Sequence, residues 1–213
     1  MNKIQPLHFY PNGRKRHFSP MWAKCLLLLM MALSGINLSA LSFEAEELSF
    51  SLDKGSWELD GLYHFANYRA EAISQTIFFP IPQDSLCLIP TVLKLELADG
   101  DSLASCKMLH QSKGSFAFQL NMPGQHFCIL RIVYRQELLG NYASYIITTA
   151  NAWGKPLQFA SYMLNVNPEL ELTKLPFPKP RQEGNSYYWE FYDFSPQTEF
   201  YLEFGEKAVS GEW

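Results

Sequence analysis

The chain has 213 residues, of which 47% are hydrophobic and 15% aromatic, and its 17 Lys and Arg are outnumbered by 21 Asp and Glu. No acidic residue precedes Glu44, so beyond residue 40 only 12 Lys and Arg face all 21 Asp and Glu, a net charge of about −9. A chain this anionic disfavours nucleic acids and anionic membranes as partners, and the length after the leader suits one domain rather than two.

The first 40 residues have the order of a secretory signal peptide: a basic segment, an apolar run at residues 25–33, and then small residues. The five basic residues are Lys3, Arg14, Lys15, Arg16 and Lys24. Signal peptidase requires small side chains beside the cut, so cleavage is predicted after Ala40 or Ser42, with Ala40 preferred. The sequence therefore predicts that residues 1–40 are removed and that the protein is exported, to the periplasm or the extracellular space.

Two alternatives remain open for this leader. Residues 25–43 carry no charge, and a run of 19 residues is long enough to stay in a bilayer as an uncleaved anchor helix. The domain would then be tethered, and the leader would be its only contact with the membrane. Translation could also start at Met21, which gives a signal of more usual length and leaves residues 1–20 out of the protein.

After the leader, apolar residues recur with a period of two, which places alternate side chains on one face of a strand. Turn-forming residues separate these segments at 54–55, 99–100 and 121–124, as in antiparallel hairpins. Strands are predicted at residues 46–53, 56–66, 71–79, 92–98, 103–109, 115–121, 126–137, 143–150, 157–166, 169–174, 186–192 and 198–204. The segment 143–150 also permits a helical turn, and the Pro-rich stretch 175–180 is predicted as an extended connector.

This pattern predicts an all-β fold at residues 41–205, namely an antiparallel two-sheet β-sandwich of the Ig-like or jelly-roll-like kind, with a short tail at 206–213.

No sequence motif indicates catalysis or metal binding. The histidines beyond the leader lack metal-ligand spacing, and neither a C-x-x-C pair nor a G-x-S-x-G turn occurs. The turn at residues 99–102 has two aspartates that would suit calcium, but a hairpin turn needs the same residues. Cys87, Cys106 and Cys128 allow one disulfide at most. Free cysteine is among the most buried residue types, so these three are predicted to be buried thiols. The sequence thus predicts no catalytic residue, no metal and no cofactor.

Aromatic residues give the best indication of a binding surface. In the strand at 186–192, Tyr188 and Tyr192 face away from the side on which Trp189 lies, and an exposed aromatic row could stack on sugars or peptides. The alternative is that such rings pack in the core. Trp153, in the segment Trp153-Gly154-Lys155-Pro156-Leu157, could join the row or close one end of the sandwich. We therefore predict Trp153, Tyr188 and Tyr192 as candidate binding residues.

The order of short motifs along the chain resembles an uncharacterised family of secreted bacterial β-sandwich domains of unknown function. These motifs are Phe65-Ala66-Asn67, Ile77-Phe78-Phe79-Pro80-Ile81-Pro82, Ile147-Thr148-Thr149 with the Trp153 segment, Tyr188-Trp189-Glu190-Phe191 and Phe194-Ser195-Pro196. The resemblance implies a β-sandwich module with no assigned activity, so it carries over no catalytic residue.

The sequence favours an exported, non-catalytic structural or protein-interaction module whose partner is another exported or envelope protein. One alternative is a carbohydrate- or peptide-binding domain that uses its exposed aromatic rings, which makes a glycan the second candidate partner. Another is a hydrolase whose site the sequence does not reveal.

Overall fold

A computed structural model of the chain describes residues 41–82, 86–98, 103–112 and 114–207. The predictions for the leader, for a start at Met21, for calcium at residues 99–102 and for most of the tail lie outside these residues. The described part is almost entirely β, with one 3-10 helix at Thr148–Trp153. Its strands are β1 Leu41–Asp53, β2 Ser56–Asn67, β3 Ile73–Pro80, β4 Thr91–Leu97, β5 Ser105–Ser112, β6 Ser115–Met122, β7 His126–Glu137, β8 Tyr142–Tyr145, β9 Leu157–Val166, β10 Leu170–Lys174, β11 Arg181–Glu183, β12 Ser186–Phe194 and β13 Phe200–Glu206.

The positions of the strands agree broadly with the sequence pattern, although several bounds are shifted, and three larger differences stand out. β1 includes Leu41, whereas the predicted strand began only at residue 46. The prediction began late because the bulge at Glu44 interrupts the alternation of buried and exposed residues. The segment 143–150 holds the short strand β8 and then the start of the 3-10 helix. The three-residue strand β11 was not predicted, since it is too short and too exposed to show any alternation.

The strands form three sheets, which differs from the prediction of two antiparallel sheets. The largest has seven strands in the order β11-β12-β9-β1-β2-β7-β4, and the others have the orders β10-β13-β8 and β3-β6-β5. In the large sheet, β1 pairs antiparallel with β2 but parallel with β9. Turn residues indicate pairing only between strands that are adjacent in sequence, so the parallel pair had no local signal.

Both small sheets pack on the same face of the large sheet. The ring of Phe50 in β1 lies 4.3 Å from that of Phe200 in β13, and the ring of Tyr63 in β2 lies 5.7 Å from that of Phe79 in β3. Phe79 and Tyr145, from the two small sheets, are 6.0 Å apart. The fold is therefore layered like a sandwich, but its second layer is divided between two sheets that share a single core.

The connector at residues 175–180 closes one side of this core. The Phe177 ring lies 5.8 Å from the ring of Tyr162 and 5.1 Å from that of Phe191. At the end of β2, buried Asn67 donates hydrogen bonds to two backbone carbonyls in different loops, at 2.7 and 2.8 Å, and accepts one from the Arg69 amide. These contacts fix the loops at the edges of the layers.

The cysteines occupy positions typical of small apolar residues. Cys87 and Cys128 are buried, and Cys106 is half-buried. Burial raises the pKa of the Cys106 thiol to about 11, which keeps it protonated at neutral pH.

Within the described ranges, no helix has the length and apolar character needed to cross a membrane.

Candidate functional site

The face of the seven-stranded sheet that is turned away from the small sheets forms an open groove of about 570 Å³. The right-handed twist of neighbouring strands curves such a sheet. One continuous row of cross-strand neighbours runs across the groove and draws one residue from each of six strands. In strand order, the row is Glu190, Ser161, Glu47, Leu62, Arg131 and Glu96.

The bulge at Glu44 decides which side chains of β1 reach the groove. Beyond the bulge, Glu46, Leu48 and Phe50 point into the core, which turns Glu47 and Ser49 outward. A shift of one residue would exchange the two faces of the strand. The local irregularity in β1 therefore places a carboxylate and a hydroxyl at the centre of the groove.

On the β7–β4 side of the groove, the chain pairs its own charges. Arg131 donates two hydrogen bonds to Asp60, at 2.8 and 2.6 Å, and its guanidinium lies 3.6 Å from a carboxylate oxygen of Glu96. The hydrogen bonds from Arg131 hold the pKa of Asp60 below its ordinary value. The ammonium group of Lys94 also lies 3.8 Å from a carboxylate oxygen of Glu96. A guanidinium thus bridges two carboxylates, and this half of the groove is close to neutral.

On the β12–β9–β1 side, the carboxylates are less completely paired. Glu47 contacts the Nε2 atom of His64 at 2.9 Å, which is an ion pair only when the imidazole is protonated. The Glu190 side chain is exposed and makes neither a hydrogen bond nor an ion pair with any residue in the described ranges. Between these carboxylates the row holds Ser161, a hydroxyl rather than a cation. This half of the groove therefore carries an excess of negative charge.

The structure brings two of the three predicted binding residues to this face. Tyr188 lines the groove, and the Arg181 guanidinium lies 4.6 Å from the centre of its ring. Tyr192 is 72% exposed and packs against Phe159, with ring centroids 5.3 Å apart. Both rings face outward, as the alternation along β12 predicts.

Trp153 lies elsewhere. Its ring packs 5.8 Å from that of Phe43 and 5.6 Å from that of Phe65, beside the core. In the same segment, Lys155 forms a 2.6 Å ion pair with the buried carboxylate of Glu44. Trp153 and Lys155 thus support the start of β1, and Trp153 does not form one surface with Tyr188 and Tyr192.

Sequence reasoning missed the polar residues of the groove. Ser161, Glu47 and Arg131 stand at the outward positions of alternating strands, which is the pattern of any solvated sheet face. Only the strand order makes them neighbours, and that order includes the parallel pairing of β1 with β9.

The described residues contain no group of three or more His, Cys, Asp or Glu side chains arranged to hold a metal ion. Cys128, which follows His126 by two positions, is buried, and its Sγ atom lies 3.6 Å from the sulfur of Met122. Burial removes that thiol from contact with a substrate in solution.

Comparison with known proteins shows similarity of fold. No protein-family model and no curated protein sequence matches the chain. The fold resembles that of a proposed nutrient-binding protein from Legionella pneumophila, with a TM-score of 0.59 and 13% identity over 79% of this chain and 68% of that one.

Two peptidase-type structures are more distantly similar. An M1 zinc metallopeptidase from Deinococcus radiodurans gives a TM-score of 0.41 at 9% identity, over 71% of this chain and 38% of that one. Leukotriene A4 hydrolase from Saccharomyces cerevisiae gives 0.43 at 8% identity, over 77% and 29%. The chain thus spans less than two fifths of either enzyme, and likeness at this level supports no conclusion about activity. What the comparisons identify is a β-rich fold shared with a bacterial protein.

Proposed function

We propose that this domain is a non-catalytic protein-interaction module that binds its partner in the groove of the seven-stranded sheet. The observation that carries the proposal is the row of side chains from six strands, open to solvent along a groove of about 570 Å³. This volume falls within the range of roughly 300–1,000 Å³ that is typical of binding sites. Five inter-strand spacings give the row a length of about 24 Å, which matches an extended peptide of about seven residues.

A carbohydrate is the second candidate ligand. The observation that favours it is the ring of Tyr192, which is 72% exposed and adjoins Phe159 on the groove side of the sheet. Such rings can stack on the apolar faces of sugars. The similar Legionella protein is described as nutrient-binding, and this description agrees with a binding role of either kind.

We place the module outside the cytoplasm, in the periplasm or beyond, with another exported or envelope protein as its partner. The burial of Leu41 supports cleavage after Ala40, because this residue is 1% exposed and belongs to the core. A cut after Ser42 would remove this buried residue. Cell fractionation followed by N-terminal sequencing tests the location. Protein that begins at Leu41 is expected outside the cytoplasm, an intact leader in the membrane fraction would show the retained anchor, and an intact leader in the cytoplasm would contradict export.

A variant that fills the groove tests the binding site. Ser161→Arg places a long side chain at the centre of the row, whereas Thr173→Arg places one on the exposed surface of β10. Each protein is applied to arrays of peptides and of polysaccharides, after thermal unfolding has shown that both variants fold. We expect peptide binding by the wild type that Ser161→Arg weakens by about tenfold or more, a loss of about 1.4 kcal/mol, while Thr173→Arg binds normally.

Two results would decide against the proposal. Equal binding by the wild type and Ser161→Arg would show that the groove is not the site. Binding to polysaccharides without peptides would establish the carbohydrate alternative.

A further inference from the structure

The groove is lined by two pairs of carboxylates, and only one pair is bridged by a cation of the chain. Asp60 and Glu96 lie beside Arg131, whose guanidinium approaches them to 2.6 and 3.6 Å. Glu190 and Glu47 flank Ser161, which offers a hydroxyl at the corresponding place. The two halves of the groove therefore have similar acidic walls and differ in the residue between them.

We infer that the β12–β9–β1 half of the groove binds a lysine or arginine side chain of the partner, which takes there the place that Arg131 takes in the other half. This inference rests on the proposed function and specifies the chemistry of its ligand. A lysine ammonium group has three donors, and Ser161, Glu190 and Glu47 provide three acceptors. An arginine guanidinium would instead donate two parallel hydrogen bonds to one of these carboxylates.

The neighbouring row supplies a surface for the aliphatic part of such a side chain. Tyr188 and Met163 are paired across β12 and β9, two residues along from Glu190 and Ser161, and both line the groove. Lysine and arginine bury their methylene groups on apolar surfaces while their charged ends stay polar. The Arg181 guanidinium lies 4.6 Å from the centre of the Tyr188 ring, over one of its faces, so the proposed side chain would use the apolar surface of Tyr188 and Met163 rather than that face.

The remaining charges near this half do not neutralise it. His64 contacts Glu47 at 2.9 Å and is 28% exposed, so it supplies a positive charge only in its protonated form. Arg181 lies at the outer edge of the sheet, within 3.6 Å of Glu183 on the same strand. Charge complementarity therefore favours a cationic segment over a neutral or acidic one.

A peptide titration tests this inference on the purified protein. The probes are three amidated peptides of about seven residues that differ only at the central position, which is lysine, norleucine or glutamate. We expect the lysine peptide to bind about tenfold more tightly than the norleucine peptide, and added salt to weaken it because exposed charges are screened. The glutamate peptide should bind least.

Variants locate the effect within the molecule. Glu190→Gln and Glu47→Gln should each weaken binding of the lysine peptide by about threefold or more, and should weaken binding of the norleucine peptide less. Glu171→Gln, at an exposed carboxylate on β10, is the matched control and should have no effect. Chemical shifts of the Ser161 and Tyr188 amides should move on titration.

The outcomes separate this inference from the proposed function. If all three peptides bind equally and Ser161→Arg blocks them, the groove is a binding site but the inferred charge preference is wrong. If Glu171→Gln weakens the lysine peptide as much as Glu190→Gln does, attraction is general and the inference fails. If Ser161→Arg leaves binding unchanged, the groove proposal itself fails with it.

Discussion

Glu46 is a carboxylic acid inside the shared core, 2% exposed, and it accepts a 2.5 Å hydrogen bond from the hydroxyl of Tyr162. Burial raises its pKa from an ordinary value of 4.5 to about 7, although the hydrogen bond acts in the opposite direction. The folded protein therefore holds a proton that the unfolded chain releases near pH 4.5. Stability from this group is fully present below that pH and is lost as the pH rises through about 7.

The substitution Glu46→Gln keeps the shape of the side chain and the acceptor for Tyr162 but cannot ionise. A pKa raised to about 7 corresponds to a stability change of about 3 kcal/mol between the two ends of the pH range. We therefore expect Glu46→Gln to gain about 3 kcal/mol relative to the wild type between about pH 4.5 and pH 8. Urea unfolding followed by tryptophan fluorescence at several pH values measures this difference.

Glu44 provides a control of opposite sign in the same strand. Burial alone would raise its pKa, but hydrogen bonds from Lys155 and Ser42 lower it below its ordinary value. Its contribution to stability is thus present above the unfolded pKa and is lost as the pH falls, so Glu44→Gln should be most destabilising at neutral pH. A stability difference between Glu46→Gln and the wild type that stayed constant with pH would show that burial does not raise the pKa of Glu46.

Two further substitutions test the packing of the layers. Gly61→Ala would place a methyl group 2.7 Å from the hydroxyl of Tyr63 and displace that ring, so a fall of several degrees in the melting temperature is expected, roughly 1–3 kcal/mol. Gly205→Ala, which meets nothing within 4 Å, should melt near the wild type, and equal losses in both variants would contradict this account. Asn67→Ala leaves two backbone carbonyls without their buried donor and should cost about 2–4 kcal/mol in urea unfolding. Asn121→Ala removes only an exposed hydrogen bond and should cost less than about 0.5 kcal/mol; a similar cost for Asn67→Ala would show that its loops are held by other contacts.

Much of the secondary structure could be predicted because strands and turns depend on neighbouring residues. Alternation identified β7 and the outward direction of Tyr188 and Tyr192 in β12. The beginning of β1 was missed for an equally local reason, since the bulge at Glu44 changes which residues are buried. Short, exposed β11 has no periodic signal to read.

The candidate site could be predicted only in part. Tyr188 and Tyr192 were identified because their strand alternates clearly, whereas Trp153 ends a short 3-10 helix, where the alternation of a strand does not apply. The partners of Tyr188 in the groove come from strands that are distant along the chain. Glu47 lies beside Ser161 only because β1 and β9 pair in parallel.

A β-rich domain with alternating faces follows from the sequence, because burial of every second side chain is a property of each strand alone. Only in the folded chain do two small sheets cover one face of a larger one, leaving the other face with a groove that has acidic walls. Strand order depends on the packing of rings such as Phe50 and Phe200, which lie at opposite ends of the described chain and 4.3 Å apart in the core. The charge of the groove follows from that order, since it places Arg131 between one pair of carboxylates and Ser161 between the other.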